Sequence, residues 1–142
     1  FNAHKAVDAK AEVLKTRRHA TVARAMTELA AAHRMLGEDD TSATLLTEAV
    51  DIFQEHAPDE VPIAMNNLGV ALRACARRSE ARAVFAEAMR LLEAAGAADA
   101  KGHDRAVMAI NAARNELLVA LEVLGLPVPA GLREDAPDAD DA

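Results

Sequence analysis

The side chains that could do chemistry are few and far apart. Histidines stand at 4, 19, 33, 56 and 103, with no pair four residues apart and no His-Glu-x-x-His run, so the usual helical zinc arrangement is absent from the sequence. His33 falls on the inner face of its helix and reads as a core histidine with a hydrogen-bond partner. A lone Cys75 cannot build a thiolate metal site or an internal disulfide. Near a helix end it reads as a small buried residue rather than a reactive thiol, and it fits a reducing, cytoplasmic setting. Glu38-Asp39-Asp40 lacks the glycine and alternating ligands of a calcium loop. It stands where a helix begins, so its carboxylates complement the helix dipole. The six glycines are single punctuation marks, and none forms a phosphate-cradling loop. The sequence therefore predicts no catalytic residues, no metal and no cofactor, and hence no enzyme.

Charge narrows the partners. The formal net charge is −7 and aromatic residues make up 2% of the chain. A nucleic-acid domain would show the opposite charge balance, and single-strand binding would need aromatics for stacking. The basic clusters Arg17-Arg18 and Arg77-Arg78 with Arg82 read as solvated helix ends. No apolar run is long enough to span a bilayer, and no secretory signal appears at the start. The chain opens on Phe1, which suggests an excised or processed piece. Arg outnumbers Lys by 12 to 4, a bias expected of a GC-rich coding genome.

These side chains must be positioned by helices. Alanine supplies 35 of 142 residues, and it loses no side-chain entropy on entering a helix. The scarcity of aromatics argues against a β-sandwich or barrel. One domain of modest core fits this length. Apolar residues spaced three and four apart predict helices near 3–18, 20–36, 40–55, 60–76, 79–95 and 103–124. Gly37, the loop from His56 to Pro62, the turn at Arg78-Ser79 and the Gly96–Gly102 stretch separate them, with Ser79 expected as an N-cap. The last helix ends at Gly125, Pro127, Pro129 and Gly131. Residues 127–142 are acidic and Pro-interrupted, cannot bury enough apolar surface to order themselves, and are expected to be disordered; a docking acidic motif is the alternative.

A shift of 39 lays the sequence over itself. Ala25-Met26-Thr27-Glu28-Leu29-Ala30 covers Ala64-Met65-Asn66-Asn67-Leu68-Gly69, and Glu48-Ala49-Val50 covers Glu87-Ala88-Met89. Gly37 falls over Ala76, and Asp40 over Ser79. The second unit resembles a tetratricopeptide repeat, ordinarily a helix–turn–helix of about 34 residues. Started at Pro62, it puts Leu68, Gly69, Leu72, Ala81, Phe85 and Ala88 on the family's packing positions. Gly69 and Ala81 let two helices approach, while Leu68, Leu72 and Phe85 fill the space between. The first unit, from Ala23, keeps Met26, Leu29, Ala30, Leu46 and Ala49, but has His33 and Ser42 at two packing positions. The 39-residue spacing resembles the longer-period variety found in kinesin light chains and many bacterial signalling proteins. A partial third match, Ala109-Ile110-Asn111 over Ala64-Met65-Asn66, has no second helix after it. The expected fold is therefore all-α: a tetratricopeptide-like solenoid of helical hairpins within residues 1–126, with repeats at 23–56 and 62–95 and a terminal capping helix at 103–124. An open solenoid end would otherwise expose an apolar face. A four-helix bundle would share the Ala and Leu pattern but need not repeat its small residues in register.

In that family the first helix of each hairpin lines a concave groove. The resemblance places Arg24, Thr27, Glu28, Ala31 and Arg34 there from the first unit, and Ile63, Asn66, Asn67, Val70 and Arg73 from the second. Met108, Asn111, Asn115 and Leu118 follow from the last helix. Asn66 and Asn67 offer both donor and acceptor to a peptide backbone, and Arg34 and Arg73 could meet a carboxylate. The resemblance implies a non-enzymatic module binding a protein or peptide in its groove, as part of a larger multidomain regulator. A peptide- or ligand-sensing regulatory domain and a homodimerisation element are the alternatives.

Overall fold

A computed structural model describes residues 2–95 and 102–132 of the chain. Among the described residues five α-helices follow one another: α1 Asn2–Met35, α2 Asp39–His56, α3 Val61–Ala74, α4 Arg78–Ala94 and α5 Gly102–Leu124. Short 3-10 turns stand at Pro58–Glu60 and Ala130–Leu132, and no strand occurs among the described residues. The break expected between residues 18 and 20 is absent: α1 runs unbroken for 34 residues. Nothing between Asn2 and Met35 is Gly or Pro, so the hydrogen-bond ladder has no local reason to stop.

Three helices end in the same way. Beyond α1, Gly37 takes a φ of +78°, its N–H donates to the Arg34 carbonyl at 2.9 Å, and the Glu38 N–H donates to the His33 carbonyl at 2.9 Å. Beyond α3, Ala76 takes a φ of +62°, with Arg77 N–H on Leu72 O at 2.9 Å and Ala76 N–H on Arg73 O at 3.0 Å. Gly125 repeats the arrangement after α5. This is the Schellman closure, which satisfies carbonyls that the helix itself leaves open. The starts are less elaborate. Asp39 and Asp40 sit in the first turn of α2 as expected from the dipole, but Glu38 makes no side-chain cap. Ser79 is not the N-cap of α4; that position belongs to Arg77, again without a side-chain cap hydrogen bond.

Consecutive helices pack in order, α1 on α2, α2 on α3, α3 on α4 and α4 on α5. One core runs through the first four, from Ala23 and Ala30 of α1 through Leu46, Val50 and Phe53 of α2 to Leu68, Leu72, Ala81 and Phe85. The small residues do what the repeat implied. A Cβ placed on Gly69 would lie 2.6 Å from Phe85 Cε1, so glycine is what allows α3 and α4 to close on each other. A second cluster joins Ala88 and Leu92 of α4 to Met108 of α5. The last helix thus covers the preceding hairpin, with Met108, Asn115 and Leu118 buried. Of the expected tail 127–142, residues 127–132 lie against the body of the molecule, where Pro127, Val128 and Leu132 help line a cavity. Residues 133–142 lie outside the described residues.

Candidate partner-binding groove

The first helices of the hairpins, α1 and α3, place their groove positions differently from one another. On α1, Thr27 is half-buried and donates its hydroxyl to the Ala23 carbonyl at 3.0 Å. Ala31 and Arg34 are exposed. Arg24 reaches sideways and holds Glu60, just before α3, through two bonds of 2.9 and 2.8 Å. On α3, Ile63 is 47% exposed and Asn67 half-buried.

The other three expected groove residues of α3 are largely covered. Asn66, Val70 and Arg73 are all buried, Arg73 to 2% exposure. The cause is α5, which takes the place next to α3 that a third first-helix would take. Asn111 of α5 donates from Nδ2 to Asn66 Oδ1 at 3.3 Å. Arg73 donates to the Asn111 backbone carbonyl at 3.0 Å, and its guanidinium stands 6.0 Å from the centre of the Phe85 ring. Asn115 donates to the Arg78 carbonyl at 3.1 Å. The residues of α5 expected to extend the groove, Met108, Asn111, Asn115 and Leu118, therefore form its packing seam. Buried polar groups are retained where partners exist, and here Asn66, Arg73 and Asn111 are one another's partners. Asn66, Val70 and Arg73, expected to line the groove, are thus part of the contact between α3 and α5.

The basic cluster expected at a solvated helix end is also engaged. Arg77 pairs with Glu80 at 2.6 Å, Arg78 with Glu122 at 3.1 Å, and Arg82 grips Glu116 of α5 with both arms. Two of these three pairs tie α4 to α5. The Arg77 hydrogen bond holds the Glu80 carboxyl below the ordinary carboxylate range, and the bonds to Glu80 and Glu116 raise Arg77 and Arg82 respectively.

What stays open lies where α1 and α3 end. A cavity of about 1000 Å³ is walled by Ala31, Arg34 and Met35 of α1, Arg73 and Ala74 of α3, and Leu118 of α5, with Pro127, Val128 and Leu132 on a further side. Residues 127–132 belong to the segment expected as an acidic tail, and Pro127, Val128 and Leu132 contribute to this lining. Its only sequence signal is the apolar Leu126, Val128 and Leu132 set among the prolines and glycine.

Two histidines that the sequence separates are brought together. His19 of α1 and His56 of α2 stack with ring centres 4.3 Å apart, beside Lys15, Asp51 and Glu55. His33 bonds through Nδ1 to Glu38 at 2.8 Å instead of to the core. The half-buried Cys75 thiol is pushed up to about 11, first by burial and then by Asp40 and Asp39, which makes it a poor nucleophile at neutral pH. No group of three or more metal-ligating side chains converges among the described residues.

A tetratricopeptide-repeat family model matches residues 22–60 and again 63–95. The chain belongs to the tetratricopeptide-repeat family. The two matches fall on the second part of α1 with α2 and the turn that follows, and on α3–α4, so tetratricopeptide hairpins account for half of the molecule, and the first part of α1 and α5 lie outside them. Repeats of this family generally mediate protein–protein interactions. No curated protein and no solved structure matches the chain. No helix among the described residues is long and apolar enough to cross a membrane.

Proposed function

We propose that this tetratricopeptide module binds a protein or peptide partner along the open part of its groove, on Thr27, Ala31 and Arg34 of α1 with Ile63 and Asn67 of α3. The observation that carries this reading is the cavity of about 1000 Å³ at the end of that face, since specific ligands favour concave, partly apolar sites with a few polar anchors. Thr27, Ala31 and Arg34 are spaced by four and three and share one side of α1. Arg34 at the cavity wall is suited to a carboxylate of the partner. The pairing of Arg77, Arg78 and Arg82 with glutamates supports a protein rather than a nucleic-acid partner. The free thiol of Cys75 supports a reducing, cytoplasmic compartment. The role fits a non-enzymatic recruiting element of a larger regulator.

The test is a thermal-shift screen with a peptide library, run on the wild type and on an Arg34→Glu, Asn67→Ala variant. Both chains should give the same circular dichroism. Peptides that raise the wild-type melting temperature should leave the variant's unchanged. Equal stabilisation of both chains would move the binding site off this face.

A further inference from the structure

α1 and α3 carry the same outer stripe. Val22, Ala25, Leu29 and Ala32 on α1 stand 39 residues before Val61, Ala64, Leu68 and Ala71 on α3, identical at all four positions. On α3 the stripe is buried, with Ala71 at 0% and Leu68 at 7% exposure. The other side of α3 presents Gly69 to Phe85 of α4; the stripe turns the opposite way and joins Leu46, Val50 and Phe53 of α2 in the core. On α1 the same side chains meet solvent. Val22 is 52%, Leu29 50% and Leu36, the next residue of the series, 73% exposed. Identical residues at identical spacing thus show, on α3, the kind of cover that fits them on α1: a helix laid lengthwise with an apolar face.

Among the described residues, α5 offers such a face to solvent. On the side of α5 turned away from α4, Ile110, Ala113, Leu117, Ala120 and Leu124 follow the same three-and-four spacing with the same alternation of large and small. Ile110 is 58%, Leu117 46% and Leu124 69% exposed. Both stripes cover 15 residues, so they match in length at about 21 Å, and a large residue of one can sit against an alanine of the other. Each face presents apolar surface on the order of 500 Å², below the roughly 800 Å² a side of a standard interface, which puts the association at the weak, concentration-dependent end.

We propose that α5 of a second copy packs along the Val22–Leu36 stripe of α1, so that the chain self-associates head to tail. The contact joins two different faces, so a dimer leaves one of each unsatisfied, and assembly continues beyond two copies as concentration rises, to a ring or an open filament according to the rotation between copies. The contact does not involve the groove and stands independently of the function proposed above.

Sedimentation equilibrium of the whole chain tests it. The wild type should rise from a monomer mass of 15.0 kDa past that of two chains as concentration increases. Leu29→Glu removes the α1 face and Leu117→Glu the α5 face; Leu36→Glu and Leu124→Glu are substitutes on the same faces should either variant lose helicity by circular dichroism. Each variant alone should remain monomeric. An equimolar mixture of an α1-face and an α5-face variant should form a one-to-one dimer, because each keeps the face the other lacks. Three results would overturn the proposal. One is a wild type that stays monomeric at every concentration. Another is a single-face variant that still dimerises, which would mean that like faces meet. The third is a mixture that contains monomers only.

Discussion

Gly69→Ala sets two known effects against each other, and the structure decides the sign. An alanine in an ordinary helix interior is favoured over glycine by about 1 kcal/mol, because glycine loses more backbone entropy on folding. At this position, however, the added methyl would lie 2.6 Å from Phe85 Cε1 and 2.8 Å from Cδ1 and Cζ. Three ring carbons are overlapped at once, and Phe85 is 1% exposed, so the ring cannot swing into solvent. Helix α4 must shift instead, and overpacking of that kind costs about 2–3 kcal/mol. The expected net effect is a loss of about 1–2 kcal/mol, a fall in melting temperature of roughly 3–8 °C for a chain of this size. Urea denaturation followed by circular dichroism measures it. Adding Phe85→Leu to Gly69→Ala should cost less than the two single changes together, with a coupling of about 0.5 kcal/mol or more. A Gly69→Ala protein as stable as the wild type, or more so, would show that α3 and α4 do not cross here.

The other expectations follow from single observations. Ala76 holds a φ of +62°, so Ala76→Gly should stabilise the chain by about 1 kcal/mol, while Gly37→Ala at the equivalent turn should cost about as much; thermal melts of the two variants should move in opposite directions. Arg73→Ala should destabilise by about 2–4 kcal/mol, since it removes the hydrogen bond that ties α3 to the Asn111 carbonyl of α5 and empties a buried volume; unchanged stability in chemical denaturation would mean that α5 does not cover Arg73. Cys75, pushed up from 9.0 to about 11 chiefly by burial, keeps its proton in the folded chain after the unfolded chain has begun to lose it. Its contribution is therefore fully present below pH 9.0 and is lost as pH rises through about 11, because the unfolded state then binds fewer protons. Denaturant titrations across that range should show a decline that Cys75→Ala lessens, and alkylation of the native thiol at neutral pH should be slow.

The hairpins are legible in the sequence because their determinants are local and periodic. Small residues recur at a fixed offset where helices cross, so the repeat pattern alone declares the α3–α4 contact through Gly69 and Ala81. The turn at Gly37 predicts the turn at Ala76 by the same offset, although alanine conceals the positive φ. The groove is less legible. Asn66, Val70 and Arg73 carry no mark distinguishing a solvent face from a covered one. Their burial depends on where α5 settles, beyond a connection whose course the sequence does not specify. The continuity of α1 is hidden because two amphipathic segments lie in it end to end, and only the absence of a helix breaker, a weak signal, argues for one helix.

The clearest division lies in the repeated stripe. Val22-Ala25-Leu29-Ala32 and Val61-Ala64-Leu68-Ala71 are the same residues on the same helical face, and local physics assigns both to one apolar side. Yet Leu68 is 7% exposed and Leu29 50%. The sequence determines that each stripe would leave water if a neighbour were present, because burial free energy scales with apolar area. Whether a neighbour is present is a property of the stacked helices: α2 lies over the stripe of α3, and no described helix of the same chain lies over that of α1.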